Sequence, residues 1–405
     1  MKITRIRVRD VAVPRVYETH CADPNQMQSD VDHPRSRYQI IELFTDAGLT
    51  GLGEVSDIAR RMKALSAQGL QDLLSEIMIG GNLDRWRDLY GRVQAGLPDD
   101  WHPELRSLTL FGVEIALLDL VGRRYAVPVY ELLGGRYHDC IQVSWVAFLR
   151  GDISAAEELE RLRVEIMEKS GRGLRSFKLK VGEDHARDLE RISLVRGLAG
   201  PEAYIKVDAS GAWEEGESID KVKDMAEAGA DACETPVIAV SRPIANDDPL
   251  RINSNADAVA ATLGRVRAAS SIDIIEHVAD LGDVFSTALI RHRAVDVVNV
   301  VASQAGGLVR SQRLIQTAET AGIPALLGST IELGPGTAAM VHLAIASKNV
   351  TVPSDLVSPE LLVDDICRNP LRFRNGTLQP NNAPGLGMEI DEDKMEKWAV
   401  EFNSH

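Results

Sequence analysis

The stretch RSFKLKVGEDHARDLERISLVRGLAGPEAYIKVDAS, residues 175–210, decides the fold. A short apolar run, SFKLKV, is followed by a helical stretch and then by a second run, AYIKVDAS. The same rhythm starts at about residue 139 and gives eight runs separated by seven helical segments. The runs are IQVSWVAF, SFKLKV, AYIKVDAS, ADACETPV, IDIIEHV, VDVVNVVAS, IPALLGST and VTVPSDL. Eight strand–helix units in about 220 residues predict an α/β fold, a TIM-type barrel of seven or eight (β/α) units.

A doubly wound open sheet is the alternative fold. It is disfavoured because the chain has no glycine-rich phosphate fingerprint after a strand: LLGGRY follows a helix. The first 60 residues alternate like strands, and residues 60–133 have helical periods. We therefore expect an α+β capping domain at residues 1–133, to which residues 375–405 return, and a barrel at residues 134–374.

Composition narrows the function. The 405 residues carry a net charge of −15 without a long basic run, so neither nucleic acid nor a membrane is an expected partner. The four cysteines are scattered and form no CxxC motif. The N-terminal MKITRIRVRDVAVPR lacks the apolar core of a signal peptide. We expect a soluble, cytoplasmic protein.

Charged residues close four consecutive runs. Lys178 and Lys180 end the second run, and Asp208, Glu234 and Glu276 end the next three. Catalytic residues of such barrels lie at the carboxyl ends of the strands. Three neighbouring carboxylates repel one another unless a cation binds, and hard oxygen ligands suit Mg²⁺. We interpret these acids as Mg²⁺ ligands that bind a small carboxylate substrate, with Lys178 depressing the pKa of the catalytic base Lys180.

Simpler interpretations exist for each residue. A Lys-x-Lys pair on a strand is usually a solvated face, and Asp208 could cap the following helix. A Schiff-base lyase that uses Lys178 or Lys180 as nucleophile would need no metal, which leaves the three acids unexplained. The order of the five residues on consecutive runs favours the metal-dependent site.

The chain resembles the enolase superfamily, in particular its muconate cycloisomerase-like branch. FGVEIALLDLVGRRYAVPVYELLGG resembles the segment that leads from the capping domain into the barrel. VDASGAW, ETP, QAGGL and APGLGMEID resemble further family motifs, and GSTIELGPGTAAMVHLA resembles the seventh-strand segment with its acid, Glu332, a candidate substrate contact. The resemblance implies Mg²⁺, removal of a proton α to a carboxylate, and a homo-oligomer. It also implies that the polar loop at residues 16–36 closes over the site, with His20 and Gln26 as candidate substrate contacts.

The sixth strand departs from the family pattern. Relatives have a catalytic lysine two residues before the Gly-Gly pair, where this chain has Gln304, and another lysine or an aspartate where it has Val301. One face of the substrate therefore lacks an obvious base, and Gln304 is expected to bind substrate instead. This favours a lyase or cycloisomerase over a racemase or epimerase. A former enzyme kept as a binding protein is a further hypothesis.

The fifth strand also departs. Glu276 stands 42 residues after Glu234, and the excess lies in a polar insertion at about residues 237–260 that is expected to shape the pocket. Asp273 and Asp280 are therefore alternative ligands. His277 is expected either to contact the substrate or to support Glu276 from behind.

Overall fold

The computed structural model of this chain describes residues 1–17, 19, 35–150, 153–237, 249–278 and 282–401, with the backbone alone for residues 249–254. The N-terminal part begins with an antiparallel sheet in the order β1-β2-β3. Its strands are β1 (Ile3–Pro14), β2 (Arg35–Thr45) and β3 (Thr50–Val55). Three helices pack on this sheet: α1 (Ala67–Met78), α2 (Trp86–Gly96) and α3 (Pro103–Tyr125). Their shared core contains buried aliphatic side chains from all six elements.

A seven-stranded parallel sheet forms the second part, in which each strand pairs with the next one in the sequence. The short helix α4 (Val129–Leu132) and strand β4 (Ile141–Gln142) precede it. The sheet consists of β5 (Ser144–Ala147), β6 (Ser176–Lys180), β7 (Tyr204–Asp208), β8 (Ala232–Glu234), β9 (Asp273–His277), β10 (Val297–Val300) and β11 (Ala325–Leu327). The expected barrel architecture is thus confirmed, with a curled parallel sheet beside an N-terminal cap.

The eighth predicted strand, VTVPSDL, is wrong as a regular strand. Residues 350–356 nevertheless lie between β11 and β5 and close the barrel through isolated backbone hydrogen bonds. Asp355 N donates to Leu327 O at 2.8 Å, and Ser144 N donates to Ser354 O at 2.8 Å. Isolated bridges join Ala325 to Val350 and Val143 to Ser354. Pro353 explains the irregularity, because proline has no N–H to donate to a ladder.

Helices alternate with the parallel strands. They are α5 (Ala155–Gly171), α6 (His185–Ala199), α7 (Glu215–Ala228), α8 (Pro249–Ala269), α9 (Gly282–Arg291), α10 (Ala302–Ala305), α11 (Leu308–Thr320), α12 (Gly334–Ile345) and α13 (Ser358–Leu361). Side-chain caps fix the starts of two of these helices: Ser154 accepts from Glu157 N at the start of α5, and Asp184 accepts from Arg187 N at the start of α6. Among the described residues, no helix combines the length and apolar character needed to cross a membrane.

Helix α8 corrects part of the predicted insertion. The polar segment at about residues 237–260 was expected to shape the pocket, but α8 begins at Pro249, so residues 249–260 form the first half of a barrel helix. Residues 238–248 lie outside the described residues. The long spacing between Glu234 and Glu276 therefore reflects a long helix as well as its preceding connection.

Two buried carboxylates join the N-terminal part to the barrel. Glu114 of α3 accepts hydrogen bonds from Leu308 N and Val309 N at the start of α11. Glu54 of β3 accepts from Leu333 N and Gly336 N, each at 2.8 Å, at the start of α12. Each carboxylate satisfies backbone donors that a helix start leaves without partners and lies at the positive end of its dipole.

The C-terminal residues pack on the first strand. Strand β12 (Thr377–Leu378) pairs with β4, and helix α14 (Glu392–Lys397) follows. Ala12 N donates to Trp398 O at 2.9 Å, and Val400 N donates to Asp10 O at 3.1 Å. The domain boundaries given above, 1–133 with 375–405 and 134–374, stay a prediction.

A substitution at Gly307 tests the contact between the N-terminal part and the barrel. Its φ is 151°, and a Cβ there would collide with the Glu114 carboxylate. We expect Gly307→Ala to lower the free energy of unfolding by roughly 2–5 kcal/mol, through backbone strain and overpacking together. Chemical denaturation measures the change.

Gly322→Ala is the matched control, because Gly322 also has a positive φ, 73°, but nothing lies within 4 Å of its Cβ position. It should cost about 1 kcal/mol, the strain of a left-handed alanine. Equal losses in the two variants would contradict the steric role of Glu114 at this junction.

Candidate active site at the carboxyl ends of the barrel strands

Strand register brings the predicted residues to one end of the sheet. In the ladder Lys180 pairs with Asp208, and Asp208 pairs with Glu234. Glu276 lies on β9 next to them and pairs with Val298 of β10. Because side chains alternate along a strand, Lys178 and Lys180 point to the same side, one layer apart. Four adjacent strands thus place two ammonium groups and three carboxylates at one end of the barrel.

Lys178 lies beneath three carboxylates. Its Nζ is 2.8 Å from Glu234 Oε1, 2.9 Å from Asp208 Oδ2 and 3.0 Å from Asp355 Oδ2. Burial opposes the charged form, but the three carboxylates outweigh burial and raise the pKa of Lys178 well above its usual value. Lys178 therefore carries a permanent positive charge.

Lys180 stands one layer nearer the barrel mouth. Its Nζ lies 2.6 Å from Asp208 Oδ2 and 3.4 Å from Ser210 Oγ. Its side chain is 17% exposed, against 6% for Lys178. Of the two ammonium groups, Lys180 is the one that a molecule entering the barrel mouth would approach first.

Asp208 holds the lysine pair together. Its Oδ2 accepts from both lysines, while Ser210 N donates to Oδ1 at 2.8 Å. Burial alone would raise the pKa of Asp208, but Lys178 and Lys180 overcome burial and lower it to about 2. The alternative that Asp208 caps the next helix does not hold, since Glu214 occupies the N-cap of α7.

Three hydrogen bonds from described residues meet at one oxygen of Glu234. Lys178 Nζ, His277 Nε2 and Asn299 Nδ2 lie 2.8, 2.7 and 3.0 Å from Oε1. Lys178 and His277 outweigh burial and hold the pKa of Glu234 well below its usual value. The second oxygen, Oε2, is buried and has no hydrogen-bond partner among the residues that the structure describes.

Glu276 shows the same asymmetry. Thr235 Oγ1 and His277 N donate to its Oε1 at 2.7 and 2.8 Å, and its Oε2 is buried with no hydrogen-bond partner in the described part of the chain. Burial raises the pKa of Glu276 to about 8. Buried carboxylate oxygens without donors are costly, and they are the ligand type that a hard divalent cation takes.

The chemistry of this donor set fits a divalent cation in part. Glu234 and Glu276 each have a buried oxygen to which no described residue donates, whereas both lysines contact Asp208 Oδ2. Across the ranges that the structure describes, no three or more His, Cys, Asp or Glu side chains are arranged so that they could hold a metal ion. A metal ion at Asp208 would therefore have to displace or share the lysine contacts.

Sequence reasoning missed three residues of this site. Lys206 is fully buried, and its Nζ lies 2.6 Å from Asp355 Oδ1; burial lowers its pKa. Asp355 therefore bridges Lys206 and Lys178, and Asn299 reaches Glu234 from β10. Lys206 could have been found, because it precedes Asp208 by two residues and so shares its face. For Asp355 and Asn299, the sequence shows only a polar residue within an apolar run, which does not reveal their contacts.

Other predicted residues lie in separate contacts. Gln304 Nε2 donates to Glu104 Oε1 at 3.2 Å, toward the N-terminal part. Glu332 is buried and accepts from Ser303 Oγ and Thr330 Oγ1, each at 3.0 Å. His20 and Gln26 lie outside the described residues. The substrate contacts predicted for Gln304, Glu332, His277 and His20 stay predictions.

Asp273 is wrong as an alternative ligand. It begins β9, at the opposite end of the sheet from Glu276, and its N–H donates to Asp231 O. The other alternative, Asp280, lies outside the described residues. His277 contacts Glu234 Oε1 and donates its backbone N–H to Glu276, which agrees with the supporting role weighed for it.

Comparison with known proteins gives consistent matches along the chain. Residues 10–134 match the family described as mandelate racemase / muconate lactonizing enzyme, N-terminal domain, and residues 161–394 match the family described as enolase C-terminal domain-like. The chain is 30% identical over 369 residues to muconate cycloisomerase 1 of Acinetobacter baylyi, which covers 88% of this chain and 90% of that protein. It is 27% identical over 368 residues to N-succinyl-L-Arg/Lys racemase of Bacillus cereus, with 89% and 90% covered.

A solved structure shares the fold. The muconate lactonizing enzyme from Pseudomonas fluorescens, complexed with muconolactone, aligns with a TM-score of 0.81 at 24% identity and covers 98% of this chain and 99% of that one. At this identity the structural similarity supports the fold alone.

Asp355 provides a test of the buried charge cluster. Asp355→Asn leaves Lys178 and Lys206 in the barrel interior with one carboxylate fewer, and breaking a buried pair is costly. We expect the free energy of unfolding to fall by about 3 kcal/mol, as measured in urea.

Glu217→Gln is the control, since Glu217 is 48% exposed and forms an i,i+4 pair with Lys221 on α7, outside the barrel interior. It should change stability by less than about 0.5 kcal/mol. If Asp355→Asn were as stable as this control, the bridge between the lysines would be energetically unimportant.

Proposed function

Because this chain belongs to the mandelate racemase / muconate lactonizing enzyme family of the enolase superfamily, and is one of its isomerases or lyases, we propose that it is a Mg²⁺-dependent enzyme acting on a small carboxylic acid. It removes the proton α to the carboxylate on one face and completes an elimination or a cycloisomerisation. The observation that carries this proposal is the unequal environment of the two lysines at the end of β6.

Lys178 and Lys180 have different roles in the proposed reaction. Lys178 is locked by three carboxylates and stays charged, so it supplies fixed positive charge beside the reacting carbon. Lys180 is more exposed and contacts Asp208, which it shares with Lys178, so its Nζ is the atom that we assign to take the proton and return it. The fixed charge of Lys178 favours the neutral form of Lys180 that a base requires, while Asp208 at 2.6 Å favours its ammonium form, the form that returns the proton.

Asp208, Glu234 and Glu276 are the proposed metal ligands. The carboxylate oxygens of Glu234 and Glu276 that lack donors support this assignment. When bound there, Mg²⁺ would neutralise the negative charge that develops on the substrate carboxylate as the α-proton leaves. His277 and Asn299 form hydrogen bonds with Glu234 Oε1, which leaves Oε2 as the oxygen that would bind the metal ion.

The opposite face of the substrate lacks the lysine that the family resemblance leads one to expect. Val301 directly follows β10 with a buried apolar side chain, and Gln304 is turned toward Glu104. A single proton carrier is enough for a syn elimination or for a cycloisomerisation, whereas a racemase needs one on each face. The racemase is the second candidate, favoured by the similarity to N-succinyl-L-Arg/Lys racemase.

Loss of Lys180 tests its role as the base. With Mg²⁺ in D₂O, the wild-type protein should exchange the α-proton of at least one member of a pooled carboxylic-acid library, read out by mass spectrometry. Lys180→Ala should reduce this exchange by roughly 10²–10⁴-fold, the usual contribution of a general base.

Lys221→Ala, which removes an ammonium group from the surface of α7, should leave exchange unchanged. Exchange that survives in Lys180→Ala would remove Lys180 from the mechanism. If the wild-type protein exchanged no acid but still bound Mg²⁺, it would be a former enzyme kept for binding.

Metal binding can be tested without turnover. Calorimetric titration with Mg²⁺ should show one site, and both Glu234→Gln and Glu276→Gln should weaken binding at least about tenfold, because each removes a negatively charged ligand. Glu217→Gln serves again as the control. Unchanged affinity in both site variants would place the metal elsewhere.

A further inference from the structure

Thr235, which directly follows the last residue of β8, has a backbone conformation that threonine rarely adopts. Its φ is 44°, in the left-handed region. A β-branched side chain disfavours this region, and the proline at position 236 further favours an extended residue before it. Ala126 also has a positive φ, but it ends α3, where a left-handed residue is common. Strain of the kind seen at Thr235 persists only where the surrounding structure enforces it, and it concentrates at functional sites.

Hydrogen bonds on both sides hold the backbone of Thr235 in this conformation. Its N–H donates to Ile275 O of β9 at 3.0 Å, and its carbonyl accepts from Gly211 N at 2.7 Å. In a regular strand the side chain after Glu234 would point away from the barrel interior, because successive side chains alternate. The positive φ ends this alternation, and the Thr235 hydroxyl donates to Glu276 Oε1 at 2.7 Å. The strained conformation therefore brings a hydroxyl to a carboxylate of the candidate site.

This hydroxyl is one of two donors that fix the Glu276 carboxylate. The other is His277 N, which donates to the same oxygen at 2.8 Å, whereas no described residue donates to the buried Oε2. The terminal torsion of a glutamate side chain is broad, so a carboxylate that is held by one donor can rotate about it. The second donor restricts this rotation and keeps the two oxygens of Glu276 distinct.

We propose that Thr235 is a positioning residue of the metal centre, an inference that rests on the proposed function. Its hydroxyl anchors Oε1 of Glu276 and so keeps Oε2 available to Mg²⁺. The left-handed backbone of Thr235 is the strain that this placement of the hydroxyl requires. Thr235 contacts neither substrate nor metal in this arrangement and acts through Glu276 alone.

A purely structural role of Thr235 would give a different result. A hydroxyl that only helps the chain to fold would change the fraction of folded molecules, not the affinity of each folded molecule for Mg²⁺. Calorimetric titration separates the two, because the number of sites per chain reports the competent fraction and the dissociation constant reports the quality of the site.

Calorimetric titration of the full chain with Mg²⁺ therefore tests the proposal. Thr235→Val keeps the branched shape but removes the hydroxyl, and it should weaken Mg²⁺ binding about 10–100-fold, as is usual when a metal ligand loses a hydrogen-bond partner. Thr235→Ala also lacks the hydroxyl and should show the same loss. Thr235→Ser keeps the hydroxyl and should bind within about threefold of the wild-type affinity. Thr320→Val, which removes an exposed hydroxyl at the end of α11, is the control and should change nothing.

A double variant shows whether the effect passes through Glu276. In the Glu276→Gln background, Thr235→Val should weaken Mg²⁺ binding by less than about threefold further, because the effects of two residues in one hydrogen-bonded network do not add. Fully additive losses would show that the hydroxyl does not act through this carboxylate and would overturn the proposal.

The remaining outcomes separate this inference from the proposed function. Wild-type affinity in both Thr235→Val and Thr235→Ala would overturn the positioning role, and so would a serine variant that binds as weakly as these two are expected to. In either case the proposed function would stand if Glu276→Gln still weakened binding. A wild-type chain that bound no Mg²⁺ would overturn both.

Discussion

The ammonium group of Lys178 is the interaction on which the rest of the structure depends. It lies inside the barrel between Asp208, Glu234 and Asp355, which come from two neighbouring strands and from the segment that closes the barrel. Desolvated carboxylates at this spacing would repel one another, and their burial costs several kcal/mol per ion unless an opposite charge compensates. Asp355 also donates its backbone N–H to Leu327 O, so the same residue contributes to barrel closure and to the buried charge cluster.

Much of the fold follows from local sequence patterns. The alternation of apolar runs with helical stretches predicted the barrel. Apolar residues repeat about every two residues in a strand such as SFKLKV and about every 3.6 residues in the helix after it. The eighth run was predicted wrongly, since Pro353 interrupts the ladder while the neighbouring N–H and C=O groups still close the barrel. The helical half of the insertion was missed because the polar composition before residue 260 resembles that of a loop.

The site was predictable where its residues end consecutive strands. Parallel strands have their carboxyl ends at the same edge of the sheet. Residues at the ends of consecutive strands are therefore close in space, as are Lys178, Lys180, Asp208 and Glu234. Asp355 and Asn299 contact the same cluster from distant segments, and only the closed barrel reveals those contacts. Sequence resemblance carried the inference of family and reaction class, whereas the order of the three acids on consecutive strands already indicated Mg²⁺ before the resemblance was considered.

The most direct test of the central claim, that one lysine moves the proton on one face, is the configuration of recovered substrate. A single enantiomer of the acid identified by exchange is incubated with enzyme and Mg²⁺ in D₂O, and the deuterated acid is separated on a chiral column. If Lys180 is the only proton carrier at the α-carbon, deuterium enters with retained configuration. Deuterium accumulating in the opposite enantiomer would contradict the account, because it requires a second proton carrier on the face where this chain has Val301.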